Sequence, residues 1–433
     1  MVLSIKTLKF FNANNLNMKQ LTGVLLLTIL FGCSKMPENN VVRDFQDIEK
    51  QLIGDLIMVE DSGVIELEEG HFLFSKSLIL EGKNNVTIKG KGIDKTVISF
   101  NGQKDGAEGF RVANCTNILM QDFTIEDAAG DNIKVTDTDG ITIRRIKSGW
   151  TGTVSKDNGA YGLYPVLSKR VVVDECEVLG ASDAGIYVGQ SENVVISNNT
   201  VYWNVAGIES ENSENVEIYG NKAYENTGGI LVFDLPGLTR YGKNITVFDN
   251  EVTENNLDNF APPGNIVGMV PPGTGLLILA TRNVEAYNNR ILNNRTVGAG
   301  IISYILIDAM GNDASDDNQQ GGMQSDFEKD KNYDPYPGNI YLHDNEFENE
   351  YSMPSMGNDF GKLFVLKFKT DLPHVIWDGI MHENFYLEDQ SVNPVFKICV
   401  QEAEGVKTAT LDAANDFEGL ESNPEVFNCN ASI

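Results

Sequence analysis

The chain has 433 residues and a formal net charge of −29 at pH 7, because 62 Asp and Glu residues outnumber 33 Lys and Arg residues. A protein this acidic lacks the basic footprint that nucleic-acid binding requires, so the composition excludes that class of partner. The length exceeds one ordinary globular domain, whereas a solenoid is limited by the number of its repeats and not by the volume of its core.

The N-terminus has the pattern of an export signal. Lys19 precedes an apolar run from Leu21 to Phe31, which is too short to span a bilayer but suits the hydrophobic region of a signal peptide. The run ends at Cys33 and resembles a bacterial lipoprotein signal, in which the cysteine is lipidated and becomes the new N-terminus. This resemblance implies a signal peptide over residues 1–32 and a lipid-anchored protein of the cell envelope, on the outer membrane or facing the periplasm.

Two starts remain open for this segment, Met1 and Met18, since Met18 lies just before the apolar run. Removal of residues 1–32 takes away three lysines and no acids, which moves the formal charge from −29 to about −32. Such a charge disfavours docking on an anionic membrane surface, so attachment is expected through the lipid alone.

Residues 33–62 are predicted to form a polar tether followed by an N-terminal cap. The stretch from Ser34 to Asn40 is polar, and residues 41–62 contain a short amphipathic helix that starts near Phe45. A cap of this kind covers the exposed first rung of a solenoid.

An asparagine-rich phrase recurs along the middle of the chain. It reads Asn193-Val-Val-Ile, then Asn199, Asn204 and Gly207-Ile208, and it returns with a period of 22 residues that only insertions lengthen. A fixed period of this size is typical of a solenoid, and the short V-x-I pieces alternate like strands. Three short strands per repeat predict an all-β fold, a single-stranded right-handed parallel β-helix over residues 63–361 with terminal caps. Rungs are predicted to begin near Val64, Val86, Ile118, Ile141, Val171, Val194, Val216, Ile245, Val284 and Ile340.

The asparagines have a structural explanation. Asn tolerates the left-handed backbone region that bends between strands need, and stacked rungs lie about 4.8 Å apart, so amide side chains in register are predicted to hydrogen-bond along the stack. Position six of the repeat, where the ladder is apolar at first and amide-rich later, reads Phe123, Ile146, Cys176, Asn199, Asn221, Asn250, Asn289 and Asn345.

Two insertions stand out because extra loops in a repeat protein tend to cluster on one face. Residues 259–273 form an apolar loop rich in Pro and Gly, and residues 308–337 form an acidic loop. Oxygen-rich loops can hold Ca²⁺, the one cofactor that the residues suggest, although an ordinary solvated loop is the simpler interpretation because no EF-hand spacing is present.

Residues 362–433 are predicted to form the last rungs and a C-terminal cap, with strands at Leu363 to Phe368 and at Val395 to Ile398. Cys399 and Cys429 flank a polar loop in an exported protein, which favours a disulfide between them. The other two cysteines of the mature chain, Cys115 and Cys176, lie in strand-like segments and are expected to be small buried residues.

Alignment of the rungs on the Gly-Ile step reveals an outward position that carries chemistry. It reads Lys134, Tyr164, Tyr187, Glu209, Leu231, Leu277 and Ile302. A lysine, two tyrosines and a glutamate on one face suit proton transfer on a sugar. Asp183, one rung-corner away, is expected to join them, as are Arg144, Arg145 and Trp150 as substrate-binding residues.

A basic band surrounds the same region. Residues 141–170 contain six basic side chains, Arg144, Arg145, Lys147, Lys156, Lys169 and Arg170, against the single acid Asp157. Two interpretations stand side by side: an anion-binding site, and ion pairing with acids of neighbouring rungs.

The repeats resemble the parallel β-helix superfamily that includes pectate lyases and mannuronan C5-epimerases. The segment Tyr161-Gly-Leu-Tyr-Pro-Val166 is similar to the epimerase motif Tyr-Gly-x-Asp-Pro-His, and Tyr161, Gly162 and Pro165 match it. Tyr164 and Val166 replace the acidic residue and the histidine of that motif. The resemblance implies a catalytic part for Tyr161, while the two replacements remove part of the acid/base pair by which the relatives move the C5 proton.

The mature chain more closely resembles a group of exported β-helix repeat lipoproteins of unknown activity. The shared features are the signal, the Gly-Ala-Tyr-Gly-Leu-Tyr-Pro phrase, the Pro-Pro-Gly loop and the two C-terminal cysteines. This resemblance implies an exported cytochrome-like partner. The first functional hypothesis is a lyase-like or epimerase-like protein that acts on acidic polysaccharides. The alternative is a non-catalytic glycan-binding or scaffold protein for another exported protein, and a structural adhesin is a third, weaker hypothesis.

Overall fold

The computed structural model describes residues 44–313 and 327–429. The predicted signal peptide, the predicted lipidation site Cys33 and the polar stretch from Ser34 to Asn40 lie outside these ranges, as does the centre of the acidic loop. The helices are α1 (Glu49–Met58), α2 (Tyr304–Asp313) and α3 (Asp359–Phe368).

Thirty-two strands are the predominant regular structure of the described chain. The first sixteen are β1 (Phe45–Gln46), β2 (Val64–Glu66), β3 (Gly70–Leu73), β4 (Lys76–Glu81), β5 (Thr87–Lys89), β6 (Thr96–Ser99), β7 (Asp105–Ala113), β8 (Thr116–Glu126), β9 (Ile133–Thr136), β10 (Asp139–Gly149), β11 (Tyr161–Val166), β12 (Lys169–Asp174), β13 (Glu177–Leu179), β14 (Ala184–Gly189), β15 (Glu192–Ser197) and β16 (Thr200–Tyr202). The remainder are β17 (Ala206–Glu211), β18 (Glu214–Tyr219), β19 (Lys222–Tyr224), β20 (Gly228–Phe233), β21 (Lys243–Phe248), β22 (Glu251–Thr253), β23 (Thr274–Leu279), β24 (Arg282–Tyr287), β25 (Arg290–Leu292), β26 (Val297–Ile302), β27 (Gly338–His343), β28 (Glu346–Glu348), β29 (Val375–Trp377), β30 (Ile398–Gln401), β31 (Thr408–Thr410) and β32 (Glu421–Ser422).

The strands stack in three columns of parallel pairs, as the predicted β-helix requires. One column runs from β2 through β15 and β18 to β30, and a second runs from β1 through β16 and β19 to β28. The long strands β8 and β10 belong to both of these columns. The third column is a separate 12-stranded sheet from β4 to β32, antiparallel only at its last pair. We call it the site sheet, because the candidate site lies on its outer face.

Inward-facing Val, Ile and Leu side chains of all three columns fill one continuous core along the axis. Leu52 and Leu56 of α1 close its N-terminal end. The predicted cap is therefore present, although its helix is shorter than the expected segment and Phe45 lies in β1.

The amide ladder predicted at position six is confirmed. Asn199 Nδ2 donates to Asn221 Oδ1 at 2.9 Å, and the same contact continues through Asn250 and Asn289 to Asn345. Each of the four acceptor oxygens also takes the backbone N–H of the preceding asparagine. A second buried ladder, one corner further on, joins Asn204, Asn226, Asn255 and Asn294.

The bends use other residues than the two buried ladders. Asn193 and Asn215, which open the phrase, are left-handed with φ of 59° and 56°, and Asn198 and Asp249, which precede ladder positions, have φ of 56° and 55°. At the buried ladder the backbone turn and the stacking amide are thus provided by neighbouring residues. Asn193 and Asn215 combine both parts, because Asn215 Nδ2 donates to Asn193 Oδ1 at 3.3 Å. The same contact continues as an exposed ladder through Asn244 and Asn283 to Asn339.

Several local predictions are wrong. Leu363 to Phe368 belong to α3 and not to a strand, since Phe360, Phe364 and Phe368 recur at helical spacing and Asn358 Oδ1 caps the helix by accepting from Gly361 N at 2.8 Å. The segment Pro394–Phe396 is a 3-10 turn, and the strand begins only at Ile398.

The register corrects two rung boundaries. Ile118 lies opposite Ile141, and Thr87 lies opposite Leu119, so Val86 is the equivalent of Ile118 as predicted. Val64, however, lies opposite Thr87 and not opposite Val86. The first rung therefore starts at Gly63, one residue earlier than predicted. A last rung begins at Ile398, which lies opposite Ile340.

Cys399 and Cys429 are joined by a disulfide with a Cα–Cα distance of 5.1 Å, and Cys115 and Cys176 are free and buried. None of the helices in the described residues is long and apolar enough to cross a membrane. Within residues 44–313 and 327–429 no group of three or more His, Cys, Asp or Glu is arranged to hold a metal ion. The calcium prediction concerns a loop whose centre lies outside those ranges.

Candidate functional site

The predicted column of outward side chains exists on the site sheet. Strand pairing places Lys134 opposite Tyr164, Tyr187 opposite Glu209, and Glu209 opposite Leu231. Ile186 and Ile208, which precede Tyr187 and Glu209 in the strands, point into the core, so the column faces outward. Successive members stand on adjacent strands about 4.8 Å apart.

The column departs from the prediction at its far end. Leu277 lies opposite Gly300 and not opposite Ile302, which instead pairs with Leu279. The alignment on Gly300-Ile301 was misleading because Gly298 is the residue that takes the glycine position of the earlier rungs, two residues before it.

Three tyrosine rings form the centre of the site. The ring of Tyr161 lies 4.4 Å from that of Tyr164 and 4.7 Å from that of Tyr187, centroid to centroid. Gly189 makes room for this packing, because a Cβ there would stand 2.3 Å from Tyr187 Oη. Tyr187 Oη can therefore reach along the strand and donate to Glu211 Oε1 at 2.6 Å.

Three carboxyl groups, those of Asp183, Glu209 and Glu211, lie along the same face, and we call them the acidic row. Glu209 is 3% exposed, and its Oε2 atom has no hydrogen-bond partner in the described structure. Burial, with the nearby charges of Asp183 and Glu211, raises the pKa of Glu209 well above its ordinary value. Burial likewise raises the pKa of Asp183 and of Glu211, and for Asp183 the adjacent Glu211 adds to the shift. These carboxyl groups are neutral in a larger share of molecules near pH 7 than exposed ones are.

The lysine end of the column is more open. Lys134 Nζ lies 3.6 Å from Glu108, 3.7 Å from Asp131 and 5.0 Å from the ring centre of Tyr164. Burial raises the pKa of Asp131 to about 6, and the charge of Lys134 opposes the rise. Asp131 is thus the carboxyl group of this site that is mostly ionised at neutral pH.

The tyrosines are held in their protonated form. Burial raises the pKa of Tyr161 and of Tyr187 well above the ordinary value, and it raises the pKa of Tyr164 to about 12. At neutral pH these phenols are hydrogen-bond and proton donors.

The apolar insertion over residues 259–273 folds onto this face. Asn265 Nδ2 donates to Asp183 Oδ2 at 3.0 Å, although the two residues are 82 positions apart. Asn259 Nδ2 holds the loop in shape by donating to the carbonyls of Val267 and Val270, both at 3.0 Å. Val267 and Val270 of this loop belong to the same buried apolar cluster as Tyr187.

The residues predicted to bind substrate do not join the site. Arg144 pairs with Asp174 at 2.8 Å and Arg145 with Asp122 at 2.6 Å, on a face of β10 that belongs to the other columns. Trp150 is buried and its Nε1 donates to the carbonyl of Ala128 at 2.9 Å. The ion pairs favour the second interpretation of the basic band, because all six of its basic residues have acidic partners.

Sequence reasoning missed Glu211, Asp131 and Asn265. Glu211 could have been predicted from the sequence, because it stands two residues after Glu209 on the same face of the strand. Asp131 precedes Lys134 by three residues, and its part emerges only from its burial. Nothing in the repeat pattern places Asn265.

A cleft of about 1250 Å³ lies beside the site and not over it. Loop residues 239–243 and the C-terminal cap line it, together with the buried Asp234. Burial and the nearby charge of Glu211 raise the pKa of Asp234 to about 8, so the acidic row reaches the edge of this cleft.

The fold is that of known β-helix proteins. Residues 77–239 match the family model described as right handed beta helix region. The A-module of the mannuronan C-5 epimerase AlgE6 of Azotobacter vinelandii is similar with a TM-score of 0.51 and 15% identity, over 83% of this chain and 90% of that chain. No curated protein matches the chain.

Two further solved structures are similar at TM-scores below 0.5. The DFA-IIIase of Arthrobacter chlorophenolicus A6 without its lid gives 0.47 at 11% identity, over 85% of this chain and 97% of that chain. PfbA, a surface adhesin of Streptococcus pneumoniae, gives 0.48 at 12% identity, over 76% of this chain and 77% of that chain. At such identities the likeness concerns the fold alone, a right-handed parallel β-helix.

Proposed function

We propose that this right-handed parallel β-helix protein is an acid–base catalyst that acts on a carbohydrate chain at the outer face of the site sheet. The observation that carries the proposal is Glu209, a buried carboxyl group with an unpartnered oxygen in line with Tyr164 and Tyr187. Leaving a buried polar atom unpaired costs about 1–3 kcal/mol. Leu231, next in the column, shows that the fold accepts an apolar side chain at this position of the repeat. Strongly shifted carboxyl groups beside a cleft are typical of catalytic sites.

The site offers both halves of a proton transfer. Asp131 is mostly ionised at neutral pH and is the candidate base, while the protonated Glu209 and Tyr164 are candidate acids. Removal of a proton from the carbon next to a uronate carboxylate, followed by elimination or return of the proton, needs this combination. We therefore favour a lyase-like or epimerase-like reaction on an acidic glycan.

Neutral carboxyl groups also remove an electrostatic difficulty. The chain is strongly acidic and repels polyanions, but a protonated Asp183 or Glu209 can donate a hydrogen bond to a substrate carboxylate. Lys134 is the cation nearest to the tyrosines, and it is shared with Glu108 and Asp131.

The test is turnover on a panel of acidic and neutral polysaccharides, read as unsaturated ends by absorbance and as inverted sugars by NMR. We expect turnover of at least one acidic glycan, with losses of about 100-fold or more in Glu209→Gln and Tyr164→Phe. Glu217→Gln and Tyr219→Phe, on another column, are the matched controls and should retain activity. Unchanged turnover in Glu209→Gln would remove the proposed site.

The alternative is a non-catalytic glycan-binding or scaffold protein for an exported cytochrome-like partner. The pairing of every basic residue in residues 141–170 favours it, because an acidic glycan meets no free cation there. Binding of arrayed glycans without any product, or co-purification of a haem protein with the full chain, would select this alternative.

The proposed location is the cell envelope, with a lipid on Cys33. This part of the proposal is supported by the apolar run and the cysteine at its end. Metabolic labelling with a fatty acid tests it, since label should enter the full-length chain and be lost in Cys33→Ser.

A further inference from the structure

A small apolar pocket continues the candidate site along the same sheet face. It is lined by residues of β20, β23 and β26 and is covered by α2, α3 and the 3-10 turn Ile266–Met269. The lining is apolar apart from Thr274 and Thr296. Its volume is about 40 Å³, which is room for roughly three water-sized groups.

Strand register joins this pocket to the acidic row. Phe233, which forms one wall, lies directly opposite Glu211 in the neighbouring strand. Leu277, another wall, is two strands from Glu209 in the column that also carries Tyr187. The chemistry of the face therefore changes from carboxyl groups to hydrocarbon within one or two strand spacings, about 5–10 Å.

One loop serves both parts. Asn265 donates to Asp183 in the acidic row, and the next residues, Ile266, Met269 and Val270, line the pocket. A ligand that displaces this loop from Asp183 also opens the pocket.

We propose that the pocket takes a small apolar substituent of the glycan, a methyl ester or an O-acetyl group, and so selects esterified over unesterified chains. This inference rests on the proposed function. A substituent of three to four non-hydrogen atoms matches the volume, and a single sugar unit spans the distance from the acidic row. A bare charged carboxylate gains nothing in this hydrocarbon lining, whereas an ester loses little on leaving water.

Gly300 provides a selective variant. It lies opposite Leu277 in the strand ladder and lines the pocket, and a Cβ at this position would stand 2.9 Å from Leu277 Cδ1 and 3.8 Å from Ile376 Cγ1. Gly300→Ala therefore narrows the pocket without touching the tyrosines or carboxyl groups. Gly54→Ala on α1, where a Cβ meets nothing within 4 Å, is the control.

The first experiment compares oligogalacturonates before and after saponification, and alginate oligomers with and without O-acetyl groups. We expect the esterified member of at least one pair to have kcat/KM, or binding affinity where no turnover occurs, at least 10-fold higher. A preference within the oligogalacturonate pair would identify the substituent as a methyl ester, and a preference within the alginate pair would identify it as an O-acetyl group. Gly300→Ala should abolish the preference and leave the unesterified member unchanged, whereas Gly54→Ala should preserve it.

The second experiment does not depend on the glycan. Crystals under xenon pressure should show an atom bound between Leu277 and Phe364 in the wild type and in Glu209→Gln, and none in Gly300→Ala. An absent xenon site, or equal affinity for both members of every pair, would overturn the inference. If Glu209→Gln loses activity but the wild type binds the esterified and unesterified members of every pair equally, the ester pocket is ruled out and the proposed catalytic function survives. If the pocket binds xenon and the protein prefers esterified chains in binding but turns none over, the ester pocket is supported and the catalytic proposal is ruled out.

Discussion

Tyr187 donates a 2.6 Å hydrogen bond to Glu211, and its ring lies across the strand at the place where Gly189 has no side chain. Tyr187 and Glu211 stand on neighbouring strands of the site sheet, and Tyr187 is buried in one apolar cluster with Val267 and Val270 of the loop that carries Asn265. A hydrogen bond of this length between a phenol and a carboxyl group couples the protonation of the two. The tyrosine cluster and the carboxyl row are therefore one site.

Gly189→Ala should break this coupling. The added Cβ would stand 2.3 Å from Tyr187 Oη, so the ring must move and lose Glu211. We expect a loss of turnover about as large as that of Tyr187→Phe, and no further loss in the double variant. An additive loss in the double variant would contradict this account.

Glu209→Gln should separate stability from activity. The amide fills the same volume without the tendency to ionise, so the free energy of unfolding at pH 8 is expected to stay equal or to rise by about 1–3 kcal/mol. Turnover is expected to fall by about 100-fold or more. Urea denaturation and kinetics on one protein preparation measure both, and the exposed Glu217→Gln should change neither. A loss of stability in Glu209→Gln would mean that its carboxylate has a structural partner.

Stability should decline as the pH rises from about 4 to 8. Burial raises the pKa of Asp131 to about 6 and of Asp234 to about 8, and it raises those of Asp183, Glu209 and Glu211. The folded state then binds more protons than the unfolded state between the unfolded pKa of about 4 and each folded pKa, so unfolding becomes easier as pH rises through that window. Asp234 alone is expected to lower the free energy of unfolding by about 2–5 kcal/mol as the pH rises through this window. Chemical denaturation at several pH values measures the slope.

Asp234→Asn is the variant that tests this linkage. Its stability should depend less on pH between 4 and 8 than that of the wild type. The surface variant Asp249→Asn should keep the wild-type slope. A slope of opposite sign in the wild type would show that these carboxyl groups are ionised in the folded protein.

Asn250→Leu should destabilise the fold strongly. Asn250 accepts from the backbone and side chain of Asn221 and donates to Ile218 and Asn289, so the replacement leaves buried groups unpaired on both sides. We expect a loss of about 2–5 kcal/mol in the free energy of unfolding. Asn283→Gly, in the exposed ladder, removes the stacking amide but keeps a residue that tolerates the φ of 53° at this position, and it should cost less than about 1 kcal/mol. Equal losses in both would show that burial does not set the strength of the ladder.

Arg144→Met and Arg145→Met should leave turnover within about twofold of the wild type. Both guanidinium groups are occupied by acids on the neighbouring rungs and are partly exposed, and exposed ion pairs contribute about 0–1 kcal/mol to stability. A large loss of substrate affinity in either variant, measured by titration, would restore the anion-binding interpretation.

Much of this molecule was predictable, because residues one repeat apart in the sequence lie next to each other on adjacent strands of the stack. Lys134, Tyr164, Tyr187 and Glu209 are adjacent in space because equivalent positions of consecutive rungs pair in register. The asparagine column follows for the same reason, since side chains in register lie within hydrogen-bonding distance. The position of Ile302 was wrong by two residues because both Gly298 and Gly300 fit the glycine of the repeat, and only the strand register shows that Gly298 takes that position.

The rest was decided by tertiary structure, because insertions have no register. Which surface the 259–273 loop covers depends on the packing of its apolar side chains, and only that packing brings Asn265 to Asp183. The pairing of Arg144 and Arg145 likewise depends on which acids stand on the adjacent rungs, and the local surplus of charge in the sequence carried no information about it. A carboxyl group gains its raised pKa from what covers it, and the cover here comes from residues far away in the chain.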